Sequence, residues 1–306
     1  MPDYGHPAGI QFYPNLSCNY SCDFCFNRGI SATGLISHGD FSSLINILIK
    51  LGIKGIDILG GEPTLHPNIS EFAVLINENN LTCTISTNGS NVSVLRHISN
   101  AATRPNVKIG VSVNDKITPE LDAFILEYKP YVKSVASKSA LADSALKYIG
   151  LPMINYYLIF RDSMSDDGLQ STMPFVEYFE QLNALRQVHN GVDGVYCGGF
   201  LPDLEVYPEL ERARCPAGTT KLAVLPNGDV YPCNLFFRYR QFRLGNILSD
   251  DFQLIWGNPV LKYFRSFNGN TCPNRQCKLF RQCRGGCPAV SYAITGRLAA
   301  PDPRCI

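Results

Sequence analysis

Two rhythms of apolar residues alternate along the first two thirds of the chain. Short runs predict strands at Ile10-Gln11-Phe12-Tyr13-Pro14, Gly55 to Leu59, Leu81 to Gly89 (closing in a turn), Val107 to Asp115, Ile154 to Phe160 and Val192 to Cys197. Between them, residues 40–51 carry apolar positions at helical spacing behind Asp40, which predicts a helix with Asp40 as its N-terminal cap. Ile69 to Asn79 and Phe175 to Val188 have the same helical period. Thr118 to Val132 and Ala140 to Ile149 also read as helices, with an unassigned Ser- and Lys-containing piece between them. Six strand-helix alternations predict a parallel sheet curved into a partial (β/α)6 barrel. In such a barrel, function gathers at the C-terminal ends of the strands.

The pattern changes near Leu201, where a stretch rich in Pro, Arg and Cys begins. This places a barrel at residues 1–200 and a small Cys-rich α+β domain at 201–306. Thr220 to Cys233 predicts a β-hairpin turning at Asn227-Gly228, which would bring Cys233 back beside Cys215. The chain has 306 residues, 45% of them hydrophobic and 17% charged, enough to bury one large core or two modest ones. Net charge is +1 without long basic or acidic runs, which removes the footprint of a nucleic-acid binder. There is no apolar stretch of membrane-spanning length, and Met1 to His6 lack the character of a signal peptide, so the expected location is the cytoplasm, away from membranes. Twelve cysteines in that setting favour metal ligation over disulfides.

The most specific chemistry lies in Cys18-Asn19-Tyr20-Ser21-Cys22-Asp23-Phe24-Cys25. Three thiols converge there with no local fourth. A structural zinc site needs four protein ligands, whereas a cluster on three thiolates leaves one iron open. A zinc knuckle is the alternative. With Phe24 before the last cysteine, the stretch resembles the radical S-adenosylmethionine (radical SAM) superfamily, whose signature is Cys-x3-Cys-x-aromatic-Cys. The resemblance implies a TIM-like partial barrel and a 4Fe-4S cluster on Cys18, Cys22 and Cys25, completed by the amino and carboxylate groups of SAM. Gly60-Gly61-Glu62-Pro63, one helix and one strand later, is similar to the segment that holds the SAM amino group in this superfamily. Ser86, Thr87 and Asn88 match its third-strand turn near the ribose, and Ser112 and Asn114 match further SAM contacts.

The C-terminal third resembles the SPASM extension of radical SAM enzymes through Cys215, Gly228, Cys233, Leu244-Gly245-Asn246-Ile247, Trp256, Cys283-Arg284-Gly285-Gly286-Cys287-Pro288 and Asp302-Pro303-Arg304-Cys305. Paired zinc ribbons are the alternative. The resemblance implies two auxiliary 4Fe-4S clusters, giving three in all. Cys272, Cys277, Cys283 and Cys305 would hold the outer one, and Cys215, Cys233 and Cys287 the inner one. Four residues separate Cys272 from Cys277 where the common pattern has two. Cys83 and Cys197 lie on apolar strands and suit core packing; Cys197, at a strand end, is also a candidate for a role at the barrel mouth. Of the five histidines, His66 alone falls near that mouth, and no acid-base residue is assigned. The implied activity is reductive SAM cleavage to a 5′-deoxyadenosyl radical and hydrogen abstraction from a peptide or protein side chain, ending in oxidation or a cross-link. Oxidation or rearrangement of a small molecule or cofactor precursor is the second reading, and a non-enzymatic iron-sulfur carrier the third. An external electron donor of the flavodoxin or ferredoxin type follows from the resemblance. Only seventeen residues precede Cys18, so either a separate peptide-recognition protein presents the substrate or no leader is needed.

Overall fold

The structure, a computed structural model, describes residues 5–30, 34–101, 106–114, 117–136, 146–189, 191–195, 215–266, 271–274, 276 and 285–305. The chain forms two compact units: Met1–Ser21, Asn27–Tyr131 and Ala217–Arg265 make the first, and Cys22–Phe26, Val132–Pro216 and Ser266–Ile306 the second. The expected domain boundary near Leu201 lies outside the described residues.

Four parallel strands open the first unit: β1 (Gly9–Phe12), β2 (Gly55–Ile58), β3 (Thr82–Thr87) and β4 (Val107–Ser112). Their registers align Ile10 with Ile56, Ile56 with Cys83 and Ile85 with Ile109. Crossover helices α1 (His38–Leu51), α2 (Ile69–Glu78) and α3 (Val92–Ala101) join them, as a parallel sheet requires. All four residues of β1, the polar Gln11 among them, are buried, as a strand covered on both faces requires. On one face Phe41 of α1 stacks on Phe72 of α2 with ring centroids 3.9 Å apart, and Phe12 lies 5.5 Å from Phe41. The cap of α1 is Ser37, not Asp40. Ser37 Oγ accepts from Asp40 N at 3.0 Å and donates to the Asp40 carboxylate at 2.7 Å, so Asp40, at the third helical position, orients the capping hydroxyl.

Helix α4 (Pro119–Tyr128) stops sooner than its periodicity predicts. Lys129 takes a left-handed conformation (φ 49°), Pro130 follows, and Tyr131-Val132-Lys133-Ser134-Val135 forms β5 (Tyr131–Val135) rather than the end of a helix. Its alternation, with Val132 and Ser134 buried, is a strand period that the helical reading overlooked. In the second unit β5 pairs in parallel with β6 (Tyr156–Ile159), and β6 with β7 (Val192–Val195). Among the described residues before 196, four parallel strands in the first unit and three in the second thus make seven, one more than expected; the α/β class with a parallel sheet stands. The helix Phe175–Val188 packs on this sheet through Tyr178, whose hydroxyl donates to Leu158 O at 2.7 Å.

The expected hairpin is present. β8 (Lys221–Val224) and β9 (Asp229–Tyr231) are antiparallel, and β10 (Gly245–Asn246) adds to β9. All three lie in the first unit, where β8 pairs in parallel with β1, Ile10 against Leu222. The hairpin of the C-terminal third thus continues the N-terminal sheet. No helix among the described residues is long and apolar enough to cross a membrane.

Candidate active site

In the first unit, the C-terminal ends of β1, β2 and β3 deliver three segments to one place: Asn15 to Cys18, Gly60 to Pro63, and Thr87 to Gly89. The first two are bonded through their backbones, Gly61 N to Asn15 O at 3.2 Å and Glu62 N to Ser17 O at 2.8 Å. A Cβ on Gly61 would stand 2.2 Å from Ser17 O and 2.5 Å from Leu16 O, so this glycine is required by the passage of the cysteine loop's own backbone. Asn15 Nδ2 donates to Glu62 O at 3.2 Å and Asn27 Nδ2 to Gly60 O at 3.0 Å, tying both flanks of the loop to the same turn.

Glu62 is fully buried. Its Oε1 accepts from Thr64 N (3.0 Å), Thr64 Oγ1 (2.6 Å) and Thr87 Oγ1 (2.7 Å), and its Oε2 from Asn88 N (2.7 Å). The carboxylate therefore clasps the Thr87-Asn88 turn. That turn in turn reaches the cysteine loop: Asn88 Nδ2 donates to Asn19 Oδ1 at 2.9 Å and lies 3.8 Å from Cys18 Sγ, which also receives Tyr20 N at 3.4 Å. Amide donors aimed at an exposed sulfur suit a thiolate that binds iron, since such hydrogen bonds tune cluster potentials. Pro63 begins a short helical turn that Glu62 caps. Ser86 is half-buried in β3, Ser112 closes β4, and Asn114 stands two residues beyond, all within this unit.

His66 is buried and bonded on both ring nitrogens, Nε2 to Ile36 O at 3.0 Å and Nδ1 accepting from Asn68 N at 3.2 Å. Burial lowers its pKa, opposed by the Ile36 carbonyl and by Glu71. It pins residue 36 to the turn after β2. Cys83 is buried in β3, and burial raises its thiol pKa far above the usual range, as a core residue requires. Cys233, half-buried, follows β9, and the next residue, Asn234, donates to Tyr13 Oη at 2.9 Å, just past β1.

The second unit holds Cys22, Phe24 and Cys25 in a turn closed by Cys25 N to Cys22 O at 3.2 Å. Arg161, two residues beyond β6, donates Nη2 to Asp23 O at 3.0 Å and Nη1 to Asp23 Oδ2 at 3.1 Å. Cys287 is buried at the start of the helix Pro288–Thr295, and its N–H donates to Asp302 Oδ2 at 2.8 Å. Asp302 also binds Arg304, through Nε at 3.0 Å and Nη2 at 2.7 Å. A Cβ on Gly286 would lie 2.1 Å from Asp302 Cβ, and this glycine has φ +88°, so the two glycine-cysteine and aspartate-arginine motifs are fitted to each other. Burial works against the Arg304 charge, but Asp302 and Asp162 more than offset it and keep its pKa above the ordinary value. Cys215 is buried, Cys272 half-buried and Cys305 exposed. Cys197, Cys277 and Cys283 lie outside the described residues.

Every described cysteine is a thiol and none is in a disulfide. Among the described residues no three His, Cys, Asp or Glu side chains are grouped to hold a single metal ion. Sequence reasoning named Asp302 and Arg304 only as motif members and overlooked Asn15, Asn27 and Arg161. The adjacent charges Arg161-Asp162 at the end of a buried strand were the available signal; Asn15 and Asn27 gave none.

Residues 13–116 match the family model of the radical SAM superfamily, and residues 215–288 match the SPASM iron-sulfur cluster-binding domain. The chain is 24% identical over 336 residues to the mycofactocin maturase MftC of Mycobacterium tuberculosis, covering 98% of this chain and 83% of that protein. It is 21% identical to the PqqA peptide cyclase of Streptomyces rochei, covering 99% and 90%. Its fold is similar to that of Streptococcus suis SuiB, solved with S-adenosylmethionine (TM-score 0.75, 20% identity, 98% of this chain and 77% of that one) and with the precursor peptide SuiA (0.75, 19%, 97% and 75%). The two matched domains imply S-adenosylmethionine and iron-sulfur clusters as cofactors. The chain is a radical SAM enzyme with a C-terminal SPASM domain.

Proposed function

We propose that this enzyme modifies a peptide, abstracting hydrogen from a side chain and leaving an oxidised residue or a cross-link. The observation that carries the reading is the pairing of the two domains over nearly the whole length of relatives named for peptide maturation or cyclisation. A 4Fe-4S cluster on Cys18, Cys22 and Cys25 would bind SAM and supply the 5′-deoxyadenosyl radical. The chain's own groups would bind and orient. Glu62 fixes the Thr87-Asn88 turn and, with the Gly60-Gly61 backbone, would hold the SAM amino group; Ser86, Thr87 and Asn88 would lie near its ribose, and Ser112 and Asn114 would make further SAM contacts. Cys215, Cys233 and Cys287 would hold an inner auxiliary cluster, and Cys272, Cys277, Cys283 and Cys305 an outer one, clusters that would supply an acceptor for the electron left on the substrate. An external flavodoxin- or ferredoxin-type donor would supply the first electron, and the reaction would proceed in the cytoplasm.

The test is anaerobic incubation with SAM, reductant and candidate precursor peptides deuterated on their side chains. Deuterium in 5′-deoxyadenosine together with a peptide lighter by two hydrogens is the expected result. SAM cleavage that proceeds with no deuterium transfer from any peptide, but with transfer from a small-molecule substrate, would overturn the reading.

A further inference from the structure

Within the second unit one hydrogen-bonded chain joins the Cys22–Cys25 turn to Cys287. Arg161 holds Asp23 through its backbone oxygen and its carboxylate. Arg304 Nη1 donates to Arg161 O at 3.0 Å and to Asp162 Oδ1 at 3.2 Å. The Arg304 guanidinium lies 4.6 Å from the centre of the Phe160 ring and binds Asp302, which accepts from Cys287 N. Positions separated by 138 and 143 residues in sequence are thus fixed to each other by side-chain donors alone.

Arg161 is not compensated like Arg304. Its side chain is 8% exposed, yet Asp23, its carboxylate partner among the described residues, is 72% exposed, so water screens that pair and it contributes little. Arg161 Nε is buried with no hydrogen-bond acceptor. A nearly buried guanidinium with one solvated counter-charge and an idle donor is costly unless more negative charge arrives nearby. An anionic thiolate-ligated cluster on the turn that Arg161 holds would bring that charge.

We propose that Arg161 is a positioning residue for the radical SAM centre: anchored by Arg304, it holds the Cys22–Cys25 turn in place and keeps a positive charge against it, which raises the reduction potential of the cluster bound there. Reduction adds one negative charge to the cluster, and a desolvated cation beside its ligands favours that state. The inference rests on the radical SAM assignment and is independent of the substrate.

The experiment is a redox titration followed by electron paramagnetic resonance on anaerobically reconstituted full-length protein, with SAM added to mark the cluster on Cys18, Cys22 and Cys25. Arg161→Gln should lower the reduced-to-oxidised ratio of the SAM-responsive signal about tenfold at a fixed poise, equivalent to ~59 mV for one electron. Arg161→Lys should titrate as the unsubstituted protein does. A glutamine variant that fails to load this cluster beside a lysine variant that loads and titrates normally supports the same role. Unshifted titration of Arg161→Gln, equal shifts in both variants, or failure of both to load would overturn it, the last leaving Arg161 a purely structural residue. No SAM-responsive signal in the unsubstituted protein would instead sink the radical SAM reading itself.

Discussion

Each compact unit organises a cysteine-bearing loop around one buried carboxylate, and the two carboxylates are satisfied differently. Glu62 gathers four neutral donors, two hydroxyls and two backbone amides. Asp302 instead accepts two bonds from a buried guanidinium besides the backbone amides of Cys287 and Arg304. Neutral donors let a carboxylate shape a turn while leaving its charge available to a cationic ligand group. An ion pair cancels the charge and makes a rigid fastening. The first arrangement suits a site that binds the amino group of SAM, and the second suits a scaffold for clusters.

The difference predicts unequal responses to substitution. Removing one partner of a buried ion pair strands the other, so Asp302→Ala, which leaves Arg304 only Asp162, should destabilise the cofactor-free protein by about 3–5 kcal/mol. Urea unfolding measures this; a loss below ~1 kcal/mol would mean that the pair behaves like a surface contact. Gly61→Ala comes next. The new Cβ meets backbone oxygens, which cannot swing aside, so an overpacking cost of about 1–3 kcal/mol should accompany loss of the iron bound by Cys18, Cys22 and Cys25. Iron analysis should show the SPASM share retained. Glu62→Gln keeps an oxygen for three donors but turns an NH2 group toward Asn88 N–H, for a cost of about 1–3 kcal/mol. Its signature is slower 5′-deoxyadenosine formation with the auxiliary signals unchanged.

The smallest effect concerns His66. Its folded-state pKa is lowered by burial, so as pH falls below the unfolded value of 6.5 the unfolded chain takes up the proton first. Stability should be complete above that pH and decline beneath it. Denaturation midpoints between pH 7 and pH 5, compared with His66→Gln, check the sign: the substituted protein should show the shallower decline.

Much of the first unit was legible in the sequence because period and punctuation agree there. β1 to β3, α1 and α2 fall within two residues of the expected spans, β4 stops three residues short of its span, α3 answers to no expectation, and Asn227-Gly228 marks the hairpin. Misreadings arose where a local rule was outweighed. The helical reading runs on through Tyr131 and Val132 although Lys129 and Pro130 end the helix, it leaves Lys133 to Val135 unassigned, and it favours Asp40 as a cap over Ser37, three residues earlier. That the Gly61 Cβ position is filled by the backbone of Leu16 and Ser17 is a fact of packing with no local trace. The hold of Arg161 on Asp23 is equally invisible, because it depends on how β6 and a distant loop are folded.

The central claim is that Cys18, Cys22 and Cys25 hold the centre that cleaves SAM, and the most direct measurement is 5′-deoxyadenosine production under dithionite. Unsubstituted reconstituted protein should produce it. The triple Cys18→Ala, Cys22→Ala, Cys25→Ala variant should produce none while retaining the iron of its SPASM cysteines. Continued 5′-deoxyadenosine formation by the triple variant would contradict the account.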